Sequence, residues 1–292
     1  MRLATSPINW NNEDVPEYRP WVPYPQILDE IRVAGYRATE WSRSLAEDPD
    51  TLRRDLEARD LEVVGAFVAL ELKDPYRWEE AWEKALRLAR FLQGVGASYL
   101  VAADPGDEGR RRLAGAVPRG QEIPPEALRH LARGLEELGR RLGDLGLALV
   151  FHPHAGTYVE TEGEVYGLLE NTAPEWVGLC LDTGHLVYGG TDPVELLRRH
   201  GNRVGYVHLK DVDPAVLRET RGKGFREALR RYIFCPLGEG VARVSEVVAL
   251  LRGLGYAGPV VVEQDTTPED PTAVARRNRA YVEKLLQQHG GP

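Results

Sequence analysis

Short apolar runs alternate with longer amphipathic segments along the whole chain. The short runs have the length and the β-branched composition that are typical of strands buried in a parallel sheet. They are Leu3–Ile8, Ala38–Trp41, Glu62–Ala69, Ser98–Ala102, Ala148–His152, Val177–Asp182, Val204–Leu209 and Pro259–Glu263. This alternation predicts an α/β fold in which each strand is followed by a helix.

The segments between these runs repeat apolar residues at helical spacing. Trp78–Leu92 and Pro124–Leu145 are long examples, and the second opens with two prolines, which suit a helix start. Leu196–His200 and Val274–Leu286 carry basic residues that favour a helix C-terminus. Eight strand-like runs that alternate with about eight helical segments predict a (β/α)8 TIM barrel in preference to an open doubly wound sheet.

The domain organisation follows from chain length and from the absence of a linker or a strong repeat. A length of 292 residues is ordinary for one such barrel, so we predict a single domain over residues 1–292. The span of roughly fifty residues between Asp211 and the last strand exceeds the length that one helix needs. We therefore predict an extended loop with a helical insertion after the seventh strand, together with a turn at Pro236–Gly240.

Composition excludes several classes of protein. A net charge of −8 argues against a nucleic-acid surface, which is usually basic. No segment reaches the roughly 18 consecutive apolar residues that a membrane span needs. The N-terminal residues predict a first strand and not a signal peptide, and Cys180 and Cys235 show no disulfide spacing. We expect a cytoplasmic protein that binds neither nucleic acid nor membrane.

Four of the strand-like runs stop on residues that commonly bind metals. The residues at these ends are His152, Asp182, His208 and Glu263. Such groups are costly to bury without a partner, and the carboxyl ends of barrel strands converge on one active site. We predict that the four hold one divalent cation. Because thiolates are absent from the set, Mn²⁺ or Co²⁺ is our first expectation, and Mg²⁺, Fe²⁺ and Zn²⁺ remain alternatives.

Each of these residues also has a simpler interpretation. Asp182 before Thr-Gly is typical of a helix N-cap, and a histidine such as His208 in an apolar run is often a satisfied core residue. Glu263 could pair with an arginine, and His154 could donate a hydrogen bond to a ligand. The coincidence of four such residues at four strand ends favours the metal site.

The same motifs carry a family resemblance that runs across nearly the full chain. Asp182–His185, His208–Asp211 and the late strand that ends at Glu263 resemble the xylose-isomerase-like TIM-barrel superfamily. That superfamily contains sugar isomerases, ketose epimerases and metal-dependent AP endonucleases. The resemblance implies a TIM barrel with Asp182, His208 and Glu263 as metal ligands.

Further motifs are similar to those of the inosose dehydratase branch. They are Ser6–Trp10 with Asn12–Pro16, His152–Thr157 with Val159–Glu162, and Glu263–Asp265. This resemblance implies a metal-dependent hydro-lyase of inositol catabolism, which dehydrates a cyclic keto-polyol. Relatives often pair, so a homodimer is compatible with it.

The chain departs from the superfamily at the end of the fifth strand. Isomerases and epimerases of the group usually place a metal-binding glutamate there, but this chain has His152, Pro153 and His154. His152 is therefore a ligand by strand register, and His154 stays open as its replacement. Epimerases of this kind need a carboxylate on each face of the inverted carbon, so the missing glutamate favours a dehydratase. The endonucleases need a further histidine where this chain has Tyr232–Pro236.

The roles that we predict follow from elimination beside a ketone. A base removes the proton next to the carbonyl, the developing charge must be stabilised, and an acid assists the departing β-hydroxyl. We assign catalytic roles to Glu263, His185, Lys210 and Glu160. We assign substrate binding to Asn9, Trp10, Glu40 and His154.

Within these roles, Glu263 is a ligand and a candidate base, with Glu160 as the alternative base or a partner for substrate hydroxyls. His185 is the candidate acid, and Lys210 is expected to polarise substrate oxygens. Simple packing and ion pairing are equally good explanations for Trp10 and Glu40.

Two other function classes remain open. One is a sugar isomerase or epimerase that acts on a ketose or a hydroxypyruvate-like substrate. The other is a barrel that binds a sugar or a metal without turnover.

Overall fold

A closed barrel of parallel strands forms the centre of the molecule. The computed structural model describes residues 1–288; residues 289–292, the end of the predicted single domain, lie outside the described residues. The barrel strands are β1 (Arg2–Thr5), β2 (Ala38–Trp41), β3 (Glu62–Ala69), β4 (Tyr99–Ala103), β5 (Ala148–Phe151), β6 (Gly178–Asp182), β7 (Val204–Leu209) and β10 (Pro259–Val262). They close in the order β1-β10-β7-β6-β5-β4-β3-β2, which confirms the predicted TIM barrel.

Helices surround this barrel. In the described chain they are α1 (Tyr24–Val33), α2 (Pro49–Glu57), α3 (Trp78–Gly94), α4 (Glu108–Leu113), α5 (Pro125–Gly143), α6 (Glu162–Glu170), α7 (Thr183–Gly189), α8 (Pro193–His200), α9 (Pro214–Thr220), α10 (Phe225–Arg230), α11 (Val244–Gly253) and α12 (Pro271–Gln288). Several begin at an aspartate whose side chain accepts a backbone N–H of the first turn, including Asp182 before α7 and Asp192 before α8.

Three predicted strands end earlier than the apolar runs indicate. β1 ends at Thr5, because Pro7 begins the 3-10 turn Pro7–Asn9. β5 ends at Phe151 and β10 ends at Val262. The corrections leave His152 and Glu263 one residue beyond their strands, in the loops that begin at the carboxyl end of the barrel.

The apolar core has three parts, one of which packs Tyr188 of α7 against Phe225 of α10 and Phe234. The largest part lies between the strands and the surrounding helices. The third fills the barrel interior with one buried side chain from each strand. These residues are Ala4, Ala38, Val64, Val101, Val150, Cys180, Tyr206 and Val261. We call them the inner layer. The interior is therefore a packed core, and the carboxyl ends of the strands provide a floor for a site above it.

The long span after β7 contains more than one helix. It begins with β8 (Asp211–Val212), which pairs antiparallel with β9 (Phe234–Cys235), and α9 and α10 lie between them. Asp211 accepts the N–H groups of Gly238 and Gly240 at 2.8 and 3.1 Å, which fixes the predicted turn over 236–240. This segment forms one wall above the barrel.

No helix within residues 1–288 combines the length and the apolar composition that crossing a bilayer requires.

Candidate metal and active site

The four predicted metal ligands lie together at the carboxyl end of the barrel. Asp182 and His208 are register partners at the ends of β6 and β7. His152 and Glu263 follow β5 and β10 directly. All four side chains are buried, with no more than 4% of any of them exposed. The topology therefore brings residues that are far apart in sequence into one cluster.

His208 has one ring nitrogen bonded and one without a hydrogen bond. Its Nε2 lies 2.9 Å from Glu40 Oε1, and because a carboxylate only accepts, Nε2 carries the proton of this bond. Its Nδ1 is buried without a hydrogen-bond partner, 3.2 Å from Glu263 Oε2 and 3.4 Å from Asp182 Oδ2. In the neutral ring, Nδ1 thus presents a lone pair to two carboxylate oxygens.

His152 presents its ring in the same way. Its Nδ1 lies 2.8 Å from the carbonyl oxygen of Pro153, an acceptor, so Nδ1 is the protonated nitrogen. The neutral ring then has its lone pair on Nε2, which lies 3.4 Å from Asp182 Oδ2. Two electron-rich atoms at this distance repel each other unless a cation or a proton lies between them.

The donor set therefore fits a divalent metal. Ligand atoms of His152, Asp182 and His185 lie within 4.8 Å of one another, as do those of Glu40, His208 and Glu263. Imidazole and carboxylate donors suit Mn²⁺, Co²⁺, Fe²⁺ and Zn²⁺. A histidine ligand commonly donates its other N–H to a carboxylate, as His208 does to Glu40.

Cys180 also comes within reach of His152 and His208. Burial raises the pKa of its thiol well above the usual range, so it stays protonated and belongs with the inner layer.

Lys210 supplies a positive charge beside the carboxylates. Its Nζ lies 3.0 Å from Asp182 Oδ2, 2.7 Å from Glu263 Oε2 and 3.3 Å from Asp265 Oδ1. Burial disfavours the charged amine, but these carboxylates outweigh it and hold the pKa of Lys210 well above its ordinary value. For Asp182, burial acts in the opposite direction and would raise the pKa of the carboxyl. Lys210 and the neighbouring histidines outweigh burial and keep this pKa well below its usual value.

His154 and His185 form a closely packed pair of tilted rings beside the four clustered residues. Their ring centroids are 3.9 Å apart. Burial, reinforced by His152, lowers the pKa of His154 to about 3, and burial with His154 holds the pKa of His185 well below its ordinary value. The N–H of Ala155 donates to His185 Nδ1 at 3.2 Å, so the neutral ring carries its proton on Nε2. His185 therefore rests as a neutral hydrogen-bond donor.

A cavity of about 1000 Å³ opens above the ligand cluster. Most of the predicted site residues line it. Among these are Glu40, His152, His154, His185, His208, Lys210 and Glu263. Asp182 lies fully buried beneath the other ligands.

The structure corrects the prediction that Asn9 and Trp10 bind substrate. Neither lines the cavity in the described chain. Asn9 Oδ1 accepts the N–H of Gln264 at 2.7 Å, and its Nδ2 donates to Thr5 Oγ1 at 2.9 Å. Trp10 is fully buried, with its Nε1 donating to Thr272 Oγ1 at 3.0 Å. Asn9 therefore joins the ends of β1 and β10, where it helps to place Glu263.

Glu160 holds two loops together through hydrogen bonds and is not a base within the cavity. It does not line the cavity, and its two carboxylate oxygens accept the N–H groups of Gly115 and Gly156 at 2.5 and 3.0 Å. Burial raises the pKa of Glu160 to about 7 in spite of these bonds. The structure thus contradicts the role that we assigned to it.

Several cavity residues escaped the sequence analysis. They include Ser6, Glu13, Asp14, Phe67, Arg43, Lys84, Arg87 and Asp265. Asp265 was visible as part of the Glu-Gln-Asp motif, but no role was drawn from it. Phe67 is an exposed aromatic residue in β3, and because it lies within a continuous apolar run, nothing in the sequence signalled its position.

Comparison with protein-family models agrees with this geometry. Residues 28–285 match the model described as "Xylose isomerase-like TIM barrel". The chain belongs to the xylose isomerase-like TIM barrel family. The resemblance noted in the strand-end motifs is therefore confirmed.

Curated relatives of similar length share this family. An inosose dehydratase of Geobacillus kaustophilus (strain HTA426) is 35% identical over 292 residues, which cover 98% of this chain and 95% of the relative. An inosose dehydratase of Lacticaseibacillus casei is 32% identical and covers 98% of this chain and 97% of the relative. The similarity thus extends over nearly the whole of each chain.

Solved structures show the same fold at low identity. IolI protein, whose structure contains a bound zinc atom, is 18% identical with a TM-score of 0.73, and both chains are covered over 100% of their length. The probable 3-DHS dehydratase AsbF from Bacillus anthracis is 14% identical with a TM-score of 0.72, over 99% of this chain and 100% of its own. At these identities the likeness shows the barrel fold alone.

Proposed function

We propose that this protein is a divalent-metal-dependent hydro-lyase that dehydrates a cyclic keto-polyol such as inosose. The observation that carries the proposal is the convergence of imidazole and carboxylate donors below an open cavity. Relatives that are named inosose dehydratases and match over nearly the full chain support the choice of reaction.

His152, Asp182, His208 and Glu263 are the residues that would hold the cation. A divalent cation supplies Lewis acidity, which stabilises the negative charge that develops on the ketone oxygen as the neighbouring carbon loses its proton. Mn²⁺ or Co²⁺ is our proposal for the ion. Lys210, which lines the cavity, would add positive charge beside the substrate oxygens.

Proton removal is assigned to Glu263. Burial would raise the pKa of this carboxyl, but His208 and Lys210 outweigh burial and keep the pKa below its ordinary value. Glu263 is therefore a carboxylate at neutral pH and is able to accept a proton. It lines the cavity, so a substrate carbon can approach it.

His185 is assigned as the donor to the departing hydroxyl. The Ala155 N–H on Nδ1 supports this role, because it leaves the ring proton on Nε2. His185 also lines the cavity and contacts Phe225 of the insertion, with ring centroids 5.0 Å apart. A neutral imidazole N–H in this position would donate a hydrogen bond that stabilises the negative charge developing on the departing oxygen.

The proposed ligand is a small polyol or sugar, not a nucleic acid or a membrane. A cytoplasmic location and a homodimer also remain our proposals.

Purified protein supplied with Mn²⁺ or Co²⁺ and inosose tests the proposal. We expect an enone-like ultraviolet absorbance to appear, and chelation to abolish it. His185→Gln should retain bound metal and lose about 10²-fold or more in rate. His200→Gln, at the end of α8 and outside the cavity, is the matched control and should keep the rate.

The same assay in deuterated water separates the alternatives. Label gained by the sugar without loss of water would indicate an isomerase or epimerase, and the hydro-lyase proposal would be wrong. Ligand binding in calorimetry with neither reaction would leave a binding protein.

A further inference from the structure

The cavity extends beyond the metal ligands to a second region at its outer end. This region is formed by residues that follow β2 and by one face of α3. We call it the outer pocket; its residues are Trp41, Ser42, Arg43, Glu47, Lys84, Arg87, Leu88 and Phe91. None of them takes part in the reaction proposed above.

Positive charge is concentrated in the outer pocket. Arg43, Lys84 and Arg87 line it, against the single carboxylate of Glu47. This local excess contrasts with the net charge of −8 of the whole chain. The inner end of the cavity has the opposite character, since carboxylates predominate there.

These cations have little internal compensation. Arg43 forms no ion pair with any residue in the described range 1–288, and Lys84 Nζ donates to the carbonyl oxygen of Ala69 at 2.8 Å. Arg87 Nη1 lies 3.7 Å from Glu83 Oε2, but both side chains are about two-thirds exposed, and such pairs contribute little. Partial burial, together with the positive charge of Arg43, lowers the pKa of Lys84. Cations that face one another in this way leave an anion-attracting field in the pocket.

Apolar side chains form the remaining wall. The rings of Trp41 and Phe91 pack at 4.8 Å between centroids, and Leu88 lies beside them. Phe67 leads from this wall to the inner end, because its ring is 5.9 Å from that of His152 and 6.0 Å from that of His154. Nearby apolar surface lowers the local dielectric and strengthens a charge–charge contact.

The size of the cavity also exceeds what a small ring requires. Pockets of about 300–1,000 Å³ commonly enclose drug-sized ligands. The volume here, about 1000 Å³, is at the upper end of that range, whereas a six-carbon keto-polyol is much smaller than a drug. One molecule can therefore reach both ends of the cavity only if it carries a further group.

We infer that the outer pocket binds an oxyanion, a phosphoryl or carboxylate group, carried by the same molecule whose keto-polyol part reaches the metal ligands. The guanidinium groups of Arg43 and Arg87 match the geometry of such oxygens. The substrate class is thus an anionic derivative of a keto-polyol. This inference rests on the proposed function only for the identity of the polyol part.

Calorimetry on the metal-loaded full chain tests the inference without requiring turnover. The probes are myo-inositol 1-phosphate, glucuronate, uncharged myo-inositol and inorganic phosphate. We expect at least one of the two charged polyols to bind at least tenfold more tightly than myo-inositol and inorganic phosphate. The relative affinities for myo-inositol 1-phosphate and glucuronate show whether the pocket prefers a phosphoryl or a carboxylate group.

A double variant, Arg43→Gln with Lys84→Gln, identifies the site of binding. It should weaken binding of the preferred charged polyol at least tenfold and leave myo-inositol unchanged. Arg90→Gln is the matched control, because Arg90 is an exposed cation on the same helix but does not line the cavity. Binding of the charged probe directly to the metal would be insensitive to the double variant.

The outcomes separate this inference from the proposed reaction. Equal affinity for charged and uncharged polyols, equal affinity for free phosphate, or an unchanged double variant would each overturn the inference. Tight binding that the double variant abolishes, in a protein that never dehydrates inosose, would support the outer pocket and remove the proposed function.

Discussion

Two layers of side chains at the centre of this barrel differ completely in chemistry, although they lie only two positions apart along four of the strands. Val150, Cys180, Tyr206 and Val261 belong to the packed inner layer. Two positions further along the same strands are His152, Asp182, His208 and Glu263. Side chains two residues apart point to the same face of an extended chain. Both layers therefore point inward. They differ only in their height along the barrel axis, with the apolar layer below and the charged layer above.

The comparison explains why the proposed ligands can be buried. The inner layer closes the barrel below these four residues. Their charged groups therefore face one another and the cavity, and not bulk water. Buried charges are tolerated when they are paired, and here Lys210 and the imidazoles provide the partners. Substitutions in the charged layer should change metal binding, and substitutions in the inner layer should change stability.

The largest effect is expected from Asp182→Ala. The change removes an oxygen that faces His152, His208 and Lys210, and it leaves those groups without their counter-charge. Metal affinity should fall by more than about 100-fold, since even outer contacts of metal sites are worth 10–100-fold. Metal analysis of the purified protein and titration with Mn²⁺ measure the change.

Asp192→Ala is the control for this substitution. Asp192 also caps a helix, α8, but lies outside the cavity, so its loss should cost about 1 kcal/mol of stability and no metal. Normal metal content in Asp182→Ala would contradict the ligand assignment.

Glu40→Gln should have the next largest effect. Glu40 accepts from His208 Nε2, and Tyr206 of the inner layer donates to the same oxygen at 3.0 Å. Loss of the carboxylate charge weakens the orientation and basicity of His208, so metal affinity should fall about 10–100-fold with the fold retained. Tyr206→Phe keeps the carboxylate and should change affinity less. Equal effects from the two variants would show that Tyr206, not the Glu40 charge, positions His208.

Val261→Ala tests the inner layer alone. The substitution removes two buried methyl groups and should lower the free energy of unfolding by about 2 kcal/mol. Because Val261 offers no donor, metal content should stay at its normal level. Chemical denaturation and elemental analysis on the same sample measure both quantities. A loss of metal that matched the loss of stability would show that the two layers do not act separately.

The smallest effect concerns pH and lies outside both layers. Burial raises the pKa of Glu160 from its ordinary value near 4.5 to about 7. The native state therefore favours the protonated form, so its contribution to stability is complete below about pH 4.5 and is lost as the pH rises through about 7. The melting temperature of Glu160→Gln, measured relative to that of the wild type, should therefore rise by a few degrees as the pH goes from 5 to 8.

The Glu160→Gln protein is expected to lack this pH dependence, although its amide offers one acceptor oxygen to Gly115 and Gly156 where the carboxylate offers two. Melting curves at several pH values measure the difference, and parallel curves for the two proteins would count against a raised pKa.

Much of the architecture could be predicted from the sequence, because it depends on the spacing of apolar residues and on which residues stand at the strand ends. Apolar runs of strand length that alternate with helical segments leave few folds other than a barrel. Strand-end position was enough to predict that His152, Asp182, His208 and Glu263 lie together. Their residue types are costly at the end of a buried run unless they meet a partner, and the closed barrel brings these ends together.

The errors share a different physical origin. Asn9, Trp10 and Glu160 are polar or amphipathic residues near the correct motifs, but their partners are distant in sequence. Asn9 bonds the backbone of Gln264, and Glu160 bonds the loops of Gly115 and Gly156. A local pattern contains no information on such partners. The outer pocket was missed for the same reason, since a loop after β2 and the third helix meet only in the folded chain.

One oxygen of Asp182 faces the ligand cluster while the other accepts the N–H of His185 at the start of α7. Exchange of the bound ion should therefore be gated by fraying of that helix. The amide proton of His185 should exchange with solvent faster after chelation, which makes it a local reporter of ion release.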